Sequence, residues 1–179
     1  ASLLGYQHWV DFEKEIDRPR QMIALNNKYL QHPRIDIEGH DIYLEQSEDS
    51  FRAISAISGY AKETGKEFVF SLNPGLTISS VKAEDQVLNY ERNLHLLFVE
   101  FDALLPAGTP IKLTIKYKGV IEENACFLDI DYKAKYNRED NNFLFDLGRR
   151  HAFIHPAYLL LPPEANWYPR AGVTYLSLI

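Results

Sequence analysis

Apolar and polar residues alternate with a period of two through the middle of the chain. Ile111, Leu113, Ile115 and Tyr117 take turns with Lys112, Thr114, Lys116 and Lys118, which predicts a strand with one buried and one wet face. Phe68, Phe70 and Leu72 repeat the pattern. Asn73-Pro74-Gly75 then stops it with one residue that fixes φ and one that tolerates φ > 0. Earlier, Ile35, Ile37, Ile42, Leu44, Phe51, Ile54 and Ile57 fall in runs that read as two strands joined by the polar turn Ser47-Glu48-Asp49-Ser50. Lys62 to Glu67 is a second polar turn, Leu76 to Ala83 a further strand, and Glu84-Asp85 the next turn. Gln86 to Tyr90 and Leu94 to Phe101 flank Glu91-Arg92-Asn93, which predicts a hairpin with that tripeptide as its loop. Leu105-Pro106-Ala107-Gly108 closes it before the lysine-rich strand.

The two ends read differently. From Tyr6 to Gln31, Val10, Phe12 and Ile16, then Met22, Ile23, Leu25, Tyr29 and Leu30, recur near three and four residues apart, the spacing of one or two helices. Asp17 is placed to cap the second, Pro19 falls in its first turn, and His32-Pro33 ends it. Beyond Val120, the stretch Tyr132 to Asn142 is polar and reads as a loop. The segment holding Gly148, Pro156, Pro162-Pro163 and Pro169 is rich in aromatics, so it should be irregular and packed on the strands. The expected fold is mainly β: an antiparallel, saddle-like β-sandwich over 35–179, preceded by a helical lead or linker over 1–34. The abrupt starts and stops, Ala1-Ser2-Leu3-Leu4 and Tyr175-Leu176-Ser177-Leu178-Ile179, suggest a piece of something longer, truncated at its carboxyl end.

Composition narrows the partners. The 179 residues suffice for one domain with a sizeable core, and 46% hydrophobic with 13% aromatic residues is too apolar for a disordered chain. A net charge of −6 argues against nucleic acid, because neutralising phosphates needs clustered Lys and Arg. The single cysteine, Cys126, lies in an apolar run and reads as an inert core thiol that leaves the redox compartment open. No apolar run approaches the ~20 residues that a membrane helix requires.

Residues with chemical potential are few. His151 and His155 stand four apart, the spacing that puts two imidazoles on one helix face. Ala152 occupies the position where a zinc hydrolase carries its glutamate, however, and Pro156 opposes a continuing helix. Two histidines in a turn at the edge of the sandwich fit better. Asp129, Asp131, Glu139, Asp140 and Asp146 lack the spacing of a calcium loop and read as a solvated acidic stretch. The remaining cluster is aromatic and charged. His155, Tyr158, Glu164, Trp167, Tyr168 and Arg170 either line a pocket that grips a ligand or an adjoining domain through stacking and charged hydrogen bonds, or form a proline-stiffened loop over the end of the core. No catalytic set and no metal set emerges.

The order of these motifs resembles a known family. F-x-L-N-P-G-L-x-I-x-S-V at Phe70 to Val81, L-P-A-G-T-P-I-K-L-T-I-K-Y-K-G at Leu105 to Gly119 and N-W-Y-P at Asn166 to Pro169 are similar to the amino-terminal β-domain of zinc aminopeptidases related to aminopeptidase N. The charged lead from Asp11 to Gln31 looks like the segment before the peptidase-like part of bacterial membrane proteins that combine transporter-permease helices with such a portion. The resemblance implies a non-catalytic domain that supports or gates a zinc peptidase domain downstream in the same chain, with zinc bound only there. It also implies possible flanking membrane spans and an extracytoplasmic position at a bacterial inner membrane. The family's G-x-M-E-N strand, its H-E-x-x-H and its later zinc-ligating glutamate have no counterpart in this sequence, so no functional residue carries over. A reading from another class stays open beside it: a free-standing ligand-binding or adhesion module using Trp167, Tyr158 and Arg170.

Overall fold

The strict alternation over residues 51–61 builds a strand whose Phe51, Ala53, Ser55, Ile57, Gly59 and Ala61 are buried while every residue between them is exposed. It belongs to a computed structural model that describes residues 17–126 and 154–173. The strands are β1 (Ile35–Gln46), β2 (Phe51–Ala61), β3 (Gly65–Ser71), β4 (Leu76–Ala83), β5 (Gln86–Val87), β6 (Asn89–Asn93), β7 (Leu96–Leu105), β8 (Pro110–Gly119), β9 (Ile154–His155), β10 (Tyr158–Leu159) and β11 (Arg170–Ala171). They form a five-stranded sheet in the order β1-β2-β8-β4-β5, a four-stranded sheet β11-β3-β7-β6, and the small hairpin β9–β10. All of the strand pairs are antiparallel.

The inward residues of the two larger sheets share one core. Phe51, Ile57, Leu113, Ile115 and Tyr117 from the first sheet meet Phe68, Phe70, Leu97 and Val99 from the second. Each such fully buried side chain contributes roughly 1.5–3 kcal/mol relative to exposure. The second sheet is apolar on both faces because a helix, α1 (residues 17–28), covers its outside. Leu25 and Tyr29 pack there on Val69, Leu96 and Phe98, with the Tyr29 and Phe98 rings edge to face at 4.8 Å. This explains the unbroken apolar run from Phe68 to Phe70, where alternation alone would leave Val69 in water. Arg18 ties the same helix to Glu122 through a guanidinium–carboxylate contact at 2.8 Å.

Several expectations change. Asp17 is itself helical, so it does not cap a helix beginning after it. Glu91-Arg92-Asn93 is strand, not loop; the turn is Leu94-His95, with Leu94 at φ +51°. The cause is Arg92, whose guanidinium is turned inward on backbone carbonyls, so its charge does not mark a solvated loop. Gln86 to Tyr90 is not one strand, because Leu88 is buried and hands the chain from the first sheet to the second. Its amide bonds to Val81 O at 3.0 Å. The aromatic tail is less irregular than expected: β11 pairs with β3, matching Arg170 with Ser71 and Ala171 with Phe70, and so satisfies an edge that would otherwise lie open.

The glycines of the two longest motifs meet. A Cβ on Gly75 would lie 2.2 Å from Val120 O, and one on Gly119 would lie 2.3 Å from Gly75 O. Leu76 and Gly119 are register partners, so the Asn-Pro-Gly turn and the end of the lysine-rich strand close on each other where no side chain fits.

Candidate functional site

Asn73 follows β3 and is completely buried. Its Nδ2 donates to Glu122 O at 3.1 Å and to Ala165 O at 2.9 Å, and its Oδ1 accepts from Gly75 N at 3.0 Å and Glu122 N at 2.8 Å. Its own amide donates to Asn166 O at 2.7 Å. One side chain thereby fastens three loops, around residues 73–75, 122–126 and 163–166. Cys126 lies in the same knot, buried, with its thiol 3.6 Å from Glu122 O, in keeping with an inert core thiol.

Arg92 braces the knot from the other side. Its Nη2 donates to Leu72 O at 2.6 Å and Asn73 O at 2.8 Å, and its Nε to Leu94 O at 2.6 Å. Burial lowers its pKa to about 10, which still leaves it charged at neutral pH. The adjacent His95 is fully buried beneath α1, with Nε2 donating to Asn26 Oδ1 at 2.6 Å. Burial, and secondarily the charge of Arg92, lower its pKa to about 4, so the ring is neutral. Arg92 was hidden in the sequence by its place in an expected loop, and His95 by its place in an expected strand where the chain turns instead.

Four of the six residues singled out from the sequence fall at two places along β1, and Glu164 and Arg170 lie apart from both. His155 and Tyr158 stack across the β9–β10 hairpin, centroids 4.8 Å apart and planes at 16°, and the hairpin is held by Gln46 Nε2 donating to His155 O at 2.7 Å. His155 is in a strand and not on a helix, so the one-face reading of the histidine pair fails there; His151 lies outside the described residues. Tyr168 instead packs edge on against His40, at 5.4 Å, and against Trp167, at 4.9 Å, while Trp167 leans on the core. His40 and Gln46 are roughly 20 Å apart along an extended strand, so the two groups line an edge and do not enclose one pocket. Glu164 lies in the 3-10 turn Pro163–Ala165, whose last carbonyl is the one that Asn73 holds. Arg170 is half-buried in β11.

A serine–histidine contact was not foreseen. His40 Nε2 and Ser55 Oγ are hydrogen bonded on neighbouring strands, the arrangement that activates a nucleophile when it is open to substrate. Ser55 is completely buried, and Asp41 is exposed on the opposite face of β1, so the pair satisfies polar atoms inside the sandwich and offers no attacking oxygen. Burial holds His40 below the usual histidine range, with the charge of Asp41 acting the other way. Among the described residues no three His, Cys, Asp or Glu side chains converge as a metal site would need, and no helix is long and apolar enough to cross a membrane. The acidic stretch from Asp129 to Asp146 lies outside the described residues.

No protein-family model and no curated protein sequence matches the chain. Among solved structures, the M1 zinc metallopeptidase from Deinococcus radiodurans is similar at a TM-score of 0.45 and 20% identity, over 50% of this chain and 21% of that one. A variant of that enzyme bound to a Tyr-Ser-Ala substrate gives 0.46 and 20%, over 50% and 21%. A two-domain M1 zinc metallopeptidase bound to L-tryptophan gives 0.46 and 18%, over the same shares. The matched part thus spans about a fifth of those chains, and no residue here takes a role from the likeness.

Proposed function

We propose that this chain is a non-catalytic β-domain that supports a zinc peptidase domain belonging to the same polypeptide. The observation that carries the reading is where the family-like motif residues go. Asn73, Gly75, Leu76 and Gly119 are all spent on closing loops and strands against one another. Residues arranged in this way brace a scaffold; none presents a nucleophile, an acid or a metal ligand to solvent. The solved M1 zinc metallopeptidases that resemble this chain over half its length are in keeping with that reading. A membrane-attached, extracytoplasmic setting is part of the proposal, and the resemblance of the helical lead is its sole support.

Two measurements test it. The coding sequence downstream should contain His-Glu-x-x-His followed by a further glutamate. The full polypeptide should hydrolyse aminoacyl nitroanilides in a chelator-sensitive manner, whereas this domain alone should not. A downstream sequence without the zinc motif, or hydrolysis by the isolated domain, overturns the proposal.

A further inference from the structure

The outer face of the five-stranded sheet carries a groove that the core does not explain. Strand register sets its lining in two rows, Tyr43–Ile54–Lys116 and Glu45–Arg52–Lys118, and Ser79 closes one end. It is an open groove of about 430 Å³, within the size range of ligand sites. Tyr43 is 65% and Ile54 37% exposed, so the floor is an apolar patch open to solvent. Arg52 is paired with Glu45 at 2.6 Å, but among the described residues Lys116 and Lys118 have no acidic partner. Lys118 also stands directly opposite Arg52, and like charges in that position destabilise a sheet. Both lysines lie on β8, across β2 from Tyr43, so the groove sets a cationic wall beside an apolar floor.

We propose that this groove docks a polypeptide segment bearing carboxylates beside an apolar side chain. Lys116 and Lys118 receive the carboxylates, and the apolar side chain lies on Tyr43 and Ile54. Charge complementarity selects this occupant. An anionic bilayer is disfavoured because the patch offers three cations, one already neutralised, fewer than the clusters of about four to eight Lys or Arg that anionic lipid surfaces call for. The inference goes beyond the proposed function and does not depend on it.

The probe is a fluorescein-labelled peptide, Glu-Phe-Asp-Glu-Leu-Asp, followed by anisotropy at low and physiological salt. Saturable binding is expected to weaken about tenfold in the K116E/K118E variant and several-fold in Y43S, with melting curves unchanged. A peptide with Lys at every acidic position should not bind, and poly-glutamate should bind more weakly. No saturable binding, or equal binding by both variants, overturns the proposal. So does an equal loss in K112E, which lies on the same strand outside the groove and would reveal unspecific attraction. Tighter, lysine-dependent binding to phosphatidylserine vesicles than to the peptide would reassign the surface to membranes and likewise overturn it.

Discussion

The side-chain oxygen of Asn73 accepts the backbone amide of Glu122 at 2.8 Å, joining residues 49 apart in sequence. The same side chain holds Ala165 through its amide nitrogen, so the turn after β3, the segment after β8 and the aromatic tail share one buried anchor. Asn73→Ala should lower stability in urea unfolding by about 3–5 kcal/mol, because buried peptide groups lose their partners with no water to replace them. Asn73→Asp should be no better, since a carboxylate would face the carbonyls of Glu122 and Ala165.

Gly75 offers a steric test of the same region. Gly75→Ala must move backbone, because its new methyl would overlap Val120 O, and a loss of about 3 kcal/mol or more is expected. Gly108 is the control. It has open space around it and φ +84°, so Gly108→Ala should cost only about 1 kcal/mol of backbone strain. Comparable melting temperatures for the two variants would show that the close approach does not bear on stability.

His95 makes stability depend on pH. Its folded pKa is lowered to about 4 while an unfolded histidine titrates near 6.5, so the unfolded state binds the proton first. The contribution of the neutral ring is therefore complete above pH 6.5 and is lost as pH falls to about 4, roughly 3 kcal/mol in all. A second proton is unwelcome because the ring is buried and, secondarily, because Arg92 is charged beside it; Nε2 donates to Asn26, and Nδ1 has no hydrogen-bond partner. Urea titrations of His95→Gln across that window should show a visibly shallower acid slope.

Arg92 acts through geometry as much as charge. Its fork reaches Leu72, Asn73 and Leu94 carbonyls at once, which a lysine ammonium cannot reproduce. Arg92→Lys should cost about 2 kcal/mol by thermal melting, despite the retained charge.

Cys126 supplies a simple readout of global unfolding. It is 1% exposed, so a thiol reagent should label it slowly in the native protein and fully in denaturant. Rapid native labelling would contradict the packing around Asn73.

Legibility in the sequence followed how local each signal was. The alternation of β8, the Asn-Pro-Gly stop and the Glu84-Asp85 turn could be read directly, because each depends on side-chain period or backbone preference within a few residues. Arg92 misled because a charge between two apolar runs resembles a loop until its carbonyl partners, twenty residues away, are known. His40 and Ser55 carried no local sign of their contact, since it depends on register across a hairpin. The aromatic tail looked like one cluster because its residues are close in sequence, yet β1 separates them along its length.

The sequence by itself determined that the chain is antiparallel β with an amphipathic helix at its start, because periods of two and near 3.6 are written into each segment. Only the tertiary structure decided which sheet the helix covers, that Gly75 and Gly119 abut, and that Asn73 ties three loops together. It also decided that the lysines of β8 share one sheet face with the exposed Tyr43 of β1, across β2. Those relations join residues far apart in the chain, and strand register with core packing selects among many pairings that local propensity leaves equally open.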